Sequence, residues 1–591
     1  MISKWLLSRS PIEQNKLGEL SLMHSAKGIH FYANSDASII RTSFGFFLLE
    51  GYILPRCSED LEYNSTEELI SLLWQKFGLE WKDHVKGYFS IVAFFDENWI
   101  VLNDTLGLSK IYWTKDENQI SNSFDSLVTI LERITWNESA LLSRQYFHRD
   151  IGEITILGEV KKSRSGIQVV FSHEKLQRDY YFEYSQLKSF QIDETCRPLD
   201  FVGIWKQIFP SMEKFAKNAH HVITLTGGKD ARTGLALLKH FGKHVVGMTY
   251  GVPDSKDAIF ASQLADAARI DHVIPPVLRL KEQWKDQVQS CVDTDSYYIS
   301  PHRALRGHAL NSVMNKKDSP WYWAGYMGGE WLMGLYPDGL VFPKWITNMK
   351  LNQSIAEIVF KGYSASLEVK DLAEEVDRLQ SLVNSARDEK ELQFIWMFEI
   401  GVLHHAQDLE LAANSGGRPY PFMMDIDFIE KLFHSKYSFF FQDHATKNLL
   451  KRWRLYEWNI RIQDALMPSW GNVAFGKKGE YTPRVFLRGS LYWSIHKALH
   501  FVFERKKYPS SFTYTEEWRQ MYLEFLTEAE RLKIPFYSNE DILHLRNELV
   551  NAPLPRVEKS WLTFSRMVMV YLQYDKICRI RNGSQYHHPQ K

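Results

Sequence analysis

The chain has 591 residues, more than a single core organises, so two or more domains are expected. Lys+Arg and Asp+Glu both number 71, and a formal net charge of zero gives no support for nucleic-acid binding through overall charge. Hydrophobic residues at 45% and aromatics at 14% exclude a disordered chain and supply large cores.

The opening stretch “MISKWLLSRSPIEQ” is too polar and too short for a signal-peptide core. Residues 1–185 read as β-rich: “SIIRTSFGFFLLEGYIL” and “GYFSIVAFFDENWIVLND” are dense in Phe, Ile, Val and Tyr, with turns expected at Gly51, Gly87 and Asp96-Glu97-Asn98. The apolar window around Glu50 is short, and no run approaches the roughly 18–20 apolar residues of a membrane span. Between the two strand groups, “STEELISLLWQKFG” is a helix with Ser65 as N-cap, Glu68 at capping-box spacing and Gly78 as its stop. “GEITILGEVKKSRSGIQVVFS” adds strands, and the polar residues 186–200 read as a linker.

From residue 201 the pattern changes. “HVITLT”, “HVVGMTYG” and “HVIPP” read as strands, alternating with the helices “ARTGLALLKHF” and “SKDAIFASQLADAARI”. The second helix gathers Ala258, Ala261, Leu264, Ala265 and Ala268 on one face. Such alternation predicts a parallel, doubly wound α/β sheet. “SPWYWAGYMGGE” is a later strand and loop, and beyond residue 385 the chain reads as mostly helical. The four cysteines (Cys57, Cys196, Cys291 and Cys578) are far apart with no CxxC pair, which suggests neither a zinc site nor a disulfide framework and fits a cytoplasmic protein.

The stretch with chemical content is Thr226-Gly227-Gly228-Lys229-Asp230, at the carboxyl end of the first of these strands. Ligands of open α/β sheets bind there, glycines let backbone N–H groups approach a phosphate, and the following helix adds its positive end. Thr226 offers a hydroxyl, Lys229 a counter-charge, and Asp230 a ligand for the Mg²⁺ that accompanies a nucleotide. Taken alone, the Gly-Gly pair reads first as a tight strand-to-helix turn, and neither GxxxxGK[ST] nor GxGxxG is present.

“LTGGKDAR” resembles the SGGxDS pyrophosphate loop of N-type ATP pyrophosphatases, specifically the asparagine synthetase group. Further segments resemble that family in the expected order: “GVPDSKDAIFASQLADAARIDHVI”, “AGYMGGEWLMGLY”, “GGRPYPFMMD”, “DHATKNLLKRW” and “MPSWGNVAFGKKGEYTP”. The N-terminal half is similar to a class II glutamine amidotransferase domain, through Gly87-Tyr88-Phe89-Ser90 and a turn carrying Asp104, Gly107, Ile111 and Tyr112. The resemblance implies an α/β plus α+β protein. An Ntn-type β-sandwich flanked by helices would occupy 1–185. A doubly wound ATP pyrophosphatase domain with a helical extension would occupy 201–591.

The departures are informative. Such glutaminases use an N-terminal Cys, whereas here Ile2 follows Met1, and Glu50 stands where the family has an oxyanion-hole Asn. A carboxylate there repels a developing oxyanion, so glutamine hydrolysis is not expected. In the pyrophosphate loop, Thr226 replaces Ser, Ala231 loses a hydroxyl, and Arg232 beside it offers charge to the phosphate. Gly329 falls where the family has an Mg²⁺-binding Asp, which makes the adjacent Glu330 the candidate second metal ligand beside Asp230. Tyr326 stands at the offset of the tyrosine that assists amine deprotonation in β-lactam synthetases, and equally reads as a packed aromatic beside Trp321, Tyr322 and Trp323. Lys477, with Lys478 competing, aligns with the transition-state lysine; Met248 and Lys447 fall among the nucleotide contacts.

The resemblance implies a ligase that uses ATP and Mg²⁺ to adenylate a carboxylate and join it to an amine, releasing AMP and pyrophosphate. Lactam and lasso-peptide macrolactam synthetases are the nearest patterns. The implied partner is a small-molecule or peptide carboxylate, including a precursor peptide with its companion processing proteins; no membrane or nucleic acid is implied. An inactive scaffold and an ATP pyrophosphatase acting on tRNA or a nucleobase are the alternatives.

Overall fold

The computed structural model describes residues 4–581 apart from 35–36, 58, 60, 189–191, 252, 276–287, 290–291, 293–300, 315–318, 336–341, 362–368, 442–452, 476–481, 504–515, 533, 535–536 and 552–553. Its first part is built by period-two alternation. One antiparallel sheet joins Trp5–Ser8 (β1), Leu20–Ala26 (β2) and Ile29–Asn34 (β3) to three later strands. A second joins Ile39–Thr42 (β4) and Gly45–Pro55 (β5) to Val85–Phe95 (β6) and Asn98–Asn103 (β7). Tyr112–Thr114 (β8), Gln119–Ser121 (β9) and Val160–Lys162 (β10) complete the first, in the order β10-β8-β9-β1-β3-β2. Gln168–Phe171 (β11) and Leu176–Asp179 (β12) complete the second, in the order β12-β11-β7-β6-β5-β4.

Alternate side chains decide what each face meets. Trp5, Leu7 and Phe31 of one sheet pack on Phe46, Leu48, Val92 and Trp99 of the other. The opposite face of β5 and β6, with Phe47, Ile53 and Ile91, is covered by Leu69, Ile70 and Leu73 of Thr66–Phe77 (α1). Leu6, Tyr32 and Tyr112 on the outer face of the first sheet meet Leu127 and Val128 of Phe124–Ile130 (α2). The result is a helix–sheet–sheet–helix stack. The Ser65 hydroxyl accepts from Glu68 N at 3.2 Å, and Gly78 ends α1 with φ 54°, as expected. The Glu68 carboxylate reaches Asn64 N, one residue before the cap.

Two expected turns are not turns. Gly51 and Gly87 lie inside the β5–β6 ladder, which pairs without a break from Gly45↔Phe95 to Pro55↔Val85. Their φ values are +83° and +142°, and a Cβ at either would stand 2.0 or 2.3 Å from a carbonyl oxygen of the partner strand. They are glycine because two backbones approach there. The turn at Asp96-Glu97-Asn98 is found, with φ 46° at Asp96 and 67° at Glu97, the left-handed pair of a tight hairpin.

The second part is a parallel sheet. His221–Thr224 (β13), Val245–Met248 (β14) and Asp271–Val273 (β15) match the expected strands, and Trp321–Trp323 (β16) and Arg418–Tyr420 (β17) follow. The order is β15-β14-β13-β16-β17, all parallel. β17 lies in a stretch read as helical; three residues with a central Pro give no periodic signal, and its place at the sheet edge tolerates the missing N–H. Glu138–Phe147 (α3) and Val202–Phe215 (α4) precede the Gly-Gly loop. Lys229–His240 (α5) starts two residues before the expected helix, and Lys256–Ala268 (α6) buries the alanine face as read. Among the described residues no helix is long and apolar enough to cross a membrane.

Charges join the two parts. Lys86 of β6, 3% exposed, binds Asp425 at 3.0 Å and Asp427 at 2.5 Å. Arg56 binds Asp427 and Glu430, and the Tyr52 hydroxyl donates to the Pro419 carbonyl at 2.9 Å. Asp193 and Cys196 sit along the same seam: Asp193 N donates to the His434 carbonyl at 2.8 Å, and Cys196 is buried. The C-terminal helix Leu554–Arg581 returns to the first part, where Lys576 pairs with Asp125 of α2.

Burial alone depresses the Lys86 ammonium, but Asp425 and Asp427 outweigh it and hold it above its ordinary value. Burial raises the Asp427 carboxyl, and Lys86 and Arg56 outweigh that and hold it well below the ordinary range. Lys86→Met leaves these carboxylates without their buried partner, and urea unfolding is expected to show a loss of about 3–5 kcal/mol at pH 7. Because the folded Asp427 pKa is depressed, its contribution is present above the unfolded carboxyl pKa, near 4, and is lost as pH falls below it. The gap between wild type and variant therefore narrows in acid; a constant gap down to the acid transition would refute the assignment.

Candidate functional site

β13 runs into the Gly-Gly loop at the carboxyl edge of the sheet. Leu225 N donates to the Met248 carbonyl at 2.7 Å, holding the loop's first residue to β14. Thr226 and Gly228 are exposed, and the Thr226 hydroxyl accepts from Gly228 N at 3.0 Å. Gly227 N donates to an Asp257 carboxylate oxygen at 3.2 Å, from the first turn of α6. Gly228, at φ −77°, caps α5 without a side-chain hydrogen bond, so among the described residues no cap side chain takes up the first-turn N–H groups. Neither glycine needs positive φ. A Cβ on Gly227 would sit 3.0 Å from the Phe260 ring, so that glycine serves close packing.

Asp230 is the second residue of α5. Its Oδ1 accepts from Asn459 Nδ2 at 3.1 Å and lies 3.7 Å from the Lys229 ammonium. Its Oδ2 makes no hydrogen bond with the described residues. Because β16 pairs directly with β13, the loop after β16 lands on this carboxylate. A Cβ on Gly325 would be 3.1 Å from Asp230 Cβ, and one on Gly328 would be 2.9 Å from Asp230 Cγ. Gly325 and Gly328 thus both lie against Asp230. Glu330, half-buried, stands in the first turn of the helix Gly328–Met333.

The other expected residues fall in different environments. Lys229 is buried, its ammonium 5.6 Å from the Tyr456 ring centre. Ala231 and Met248 are buried in the core, and the Met248 carbonyl is used by Leu225. Arg232, 1% exposed, donates to the carbonyls of Val473 and Ala474 at 3.0 and 2.6 Å; burial lowers its pKa to about 10. Its guanidinium braces that backbone, so in this conformation it is not turned to an anion at the loop. Tyr326 stacks on His405 at 4.7 Å between ring centres, and its hydroxyl is 3.1 Å from that of Tyr322, which is 3.3 Å from that of Tyr250. Burial, with Asp408 adding, holds the Tyr326 phenol well above its ordinary pKa, so it is a neutral hydroxyl. Lys447, Lys477 and Lys478 lie outside the described residues.

Sequence reading passed over Asn459. The helix Arg454–Leu466 packs on α5, and Asn459 and Gln463 reach Asp230, Lys229 and Thr233. The one trace in the sequence is two amides four residues apart, which places them on one helix face.

The donor set suits Mg²⁺ held through a nucleotide. Among the described residues no group of three or more His, Cys, Asp or Glu gathers as a metal cluster. Mg²⁺ ordinarily takes one or two carboxylates, with phosphate oxygens and water supplying the rest. Asp230, with one oxygen that makes no hydrogen bond among the described residues, meets that demand.

In the first part, Glu50 accepts from Ser90 Oγ at 3.1 Å and from Asn122 Nδ2. Cys57 is at the seam: its N–H donates to Asp427 at 2.9 Å, and its sulfur lies 3.6 Å from the Lys86 ammonium. Burial pushes the thiol up to about 12, with Lys86 opposing and Asp427 and Asp425 adding.

No protein-family model matches the chain, and no curated protein matches it. Among solved structures, an NMN synthetase from Francisella tularensis is similar over 36% of this chain and 96% of its own, at 14% identity and a TM-score of 0.22. A likeness of that size bears on neither the fold nor the reaction.

A thiol near pKa 12 has roughly a thousandfold less thiolate at pH 8 than one at 9. Cys57 in the folded protein is therefore expected to resist iodoacetamide at pH 8, and to react at an ordinary rate in urea. Mass spectrometry of the Cys57 peptide reads both; rapid labelling of the folded protein would contradict the environment described.

Proposed function

We propose that the chain is an ATP-dependent, AMP-forming amide ligase whose nucleotide site is the Thr226–Asp230 loop. The observation that carries this reading is the Asp230 carboxylate. It stands at the carboxyl edge of the sheet, beside an exposed Thr226 and the N-terminus of α5, with Oδ2 uncommitted among the described residues and two glycines of the neighbouring strand's loop against it. First-turn N–H groups and the helix dipole suit the phosphates of ATP. Mg²⁺ would be held by Asp230, with Glu330 as the second carboxylate, and would neutralise phosphate charge. The asparagine synthetase-like arrangement of motifs in order along the chain supports the same assignment, with an Ntn-like first part and an ATP pyrophosphatase-like second part.

In this reading a substrate carboxylate attacks the α-phosphorus of ATP, and pyrophosphate leaves with the electron pair of the broken P–O bond. An amine then attacks the acyl carbon, and AMP leaves. Positioning and charge neutralisation supply most of the acceleration in such phosphoryl chemistry. Tyr326, neutral and bonded to Tyr322, would orient the amine through its hydroxyl and not serve as a phenolate base. Lys477 is proposed to stabilise the leaving group. The amine is taken to come from the substrate or a second substrate, because the Glu50 carboxylate and the high-pKa Cys57 thiol both oppose glutamine hydrolysis by the first part. The substrate class is a small-molecule or peptide carboxylate, a precursor peptide included.

The test is exchange of labelled pyrophosphate into ATP, run with Mg²⁺ and a panel of amino-carboxylates and peptides. Exchange is expected with at least one substrate, and Asp230→Ala should lower it by about 10²–10³-fold. Full activity in that variant would sink the assignment of the loop. A wild-type protein that neither exchanges pyrophosphate nor binds ATP would make the chain a scaffold.

A further inference from the structure

The carboxylate at position 230 is turned by a directed chain of hydrogen bonds from a different helix. Gln463 Nε2 donates to the Lys229 carbonyl and to Thr233 Oγ1, both at 2.9 Å. Thr233 Oγ1 lies 2.8 Å from Asn459 Oδ1 and 3.1 Å from the same Lys229 carbonyl. A hydroxyl has one proton, and an amide oxygen at the shorter distance needs a donor where it faces the hydroxyl, so the proton goes to Asn459 Oδ1. The Asn459 NH₂ then faces Asp230 Oδ1 at 3.1 Å. The reverse amide orientation would set its oxygen against a carboxylate oxygen. Thr233 and Asn459 are fully buried and Gln463 is 1% exposed, so water does not substitute for any step.

We propose that Asn459 is a positioning residue that fixes how Asp230 offers its carboxylate to the divalent cation of the nucleotide complex, with Thr233 and Gln463 holding the amide. This rests on the assignment of Asp230 as a metal ligand made above. The terminal torsion of an aspartate is broad, so an unrestrained carboxylate rotates between its two oxygens. Asn459 occupies Oδ1 and leaves Oδ2 as the oxygen for the cation. Groups that hold a metal ligand from behind typically govern affinity by 10–100-fold.

The experiment measures Mn²⁺ binding by electron paramagnetic resonance, with α,β-methylene-ATP saturating, alongside nucleotide affinity without metal and the thermal midpoint. Asn459→Ala is expected to weaken Mn²⁺ by roughly ten- to a hundredfold and to leave metal-free nucleotide binding unchanged. Thr233→Val, which removes the hydroxyl bonded to Asn459 and leaves the Asn459–Asp230 contact itself in place, should weaken Mn²⁺ less and in the same direction. Thr233→Ser, which keeps the hydroxyl, should bind as wild type. The proposal is overturned if folded Asn459→Ala binds Mn²⁺ as wild type does. It is also overturned if metal-free nucleotide affinity and thermal midpoint fall in step with Mn²⁺ affinity, the signature of a structural role. A wild-type protein that binds no Mn²⁺–nucleotide removes the nucleotide-site assignment and this inference together; binding by wild type with Asn459→Ala unaffected removes this inference alone.

Discussion

The direct pairing of β13 with β16 sets where everything at the site can be. Parallel neighbours deliver their following loops to the same edge of a sheet, so the loop after β16 must pass over the start of α5. Asp230 occupies that place, and Gly325 and Gly328 leave room for it. A side chain at either position would push the loop off the carboxylate or turn the carboxylate away. The absence of Cβ atoms there is thus a condition for the site, in the same way that Gly51 and Gly87 are a condition for the long β5–β6 hairpin.

Around this contact the structure commits its polar groups in two distinct ways. Some are spent on holding shape: Gly227 N on Asp257, Arg232 on the Val473 and Ala474 carbonyls, Asn459 on Asp230. Others are left uncommitted at the edge among the described residues, namely Asp230 Oδ2 and the first-turn N–H groups of α5. The seam between the sandwich and the parallel sheet follows the first pattern throughout. Lys86, Arg56, Asp425 and Asp427 neutralise one another in a buried place where any one of them alone would be costly. The Cys57 thiol lies within that cluster, and burial among carboxylates makes it a poor nucleophile.

Much of the local structure was legible because it is written at short range. Ser65, Glu68 and Gly78 bound α1 through hydrogen bonds within a few residues. The alanine face of α6 follows from helical spacing, and the Asp96–Glu97 turn from residues that tolerate positive φ. Gly51 and Gly87 were misread as turns because a glycine that admits a neighbouring strand looks, in one dimension, like a glycine that reverses the chain. β17 was missed because three residues with a central proline carry no period. Arg232 stands beside the loop in sequence, yet its guanidinium is directed to a backbone more than two hundred residues away.

Local pattern is enough for the strand–loop–helix that carries Thr226, the glycine pair and Asp230, since apolar periodicity, glycine placement and the helix start are short-range properties. Only long-range packing sets which oxygen of Asp230 bonds Asn459, which glycines of the later loop meet it, and where Arg232 and Tyr326 point. Those outcomes depend on sheet order and helix packing, which join residues 230, 325, 328 and 459 across long spans of chain and leave no pattern in the stretch around any one of them.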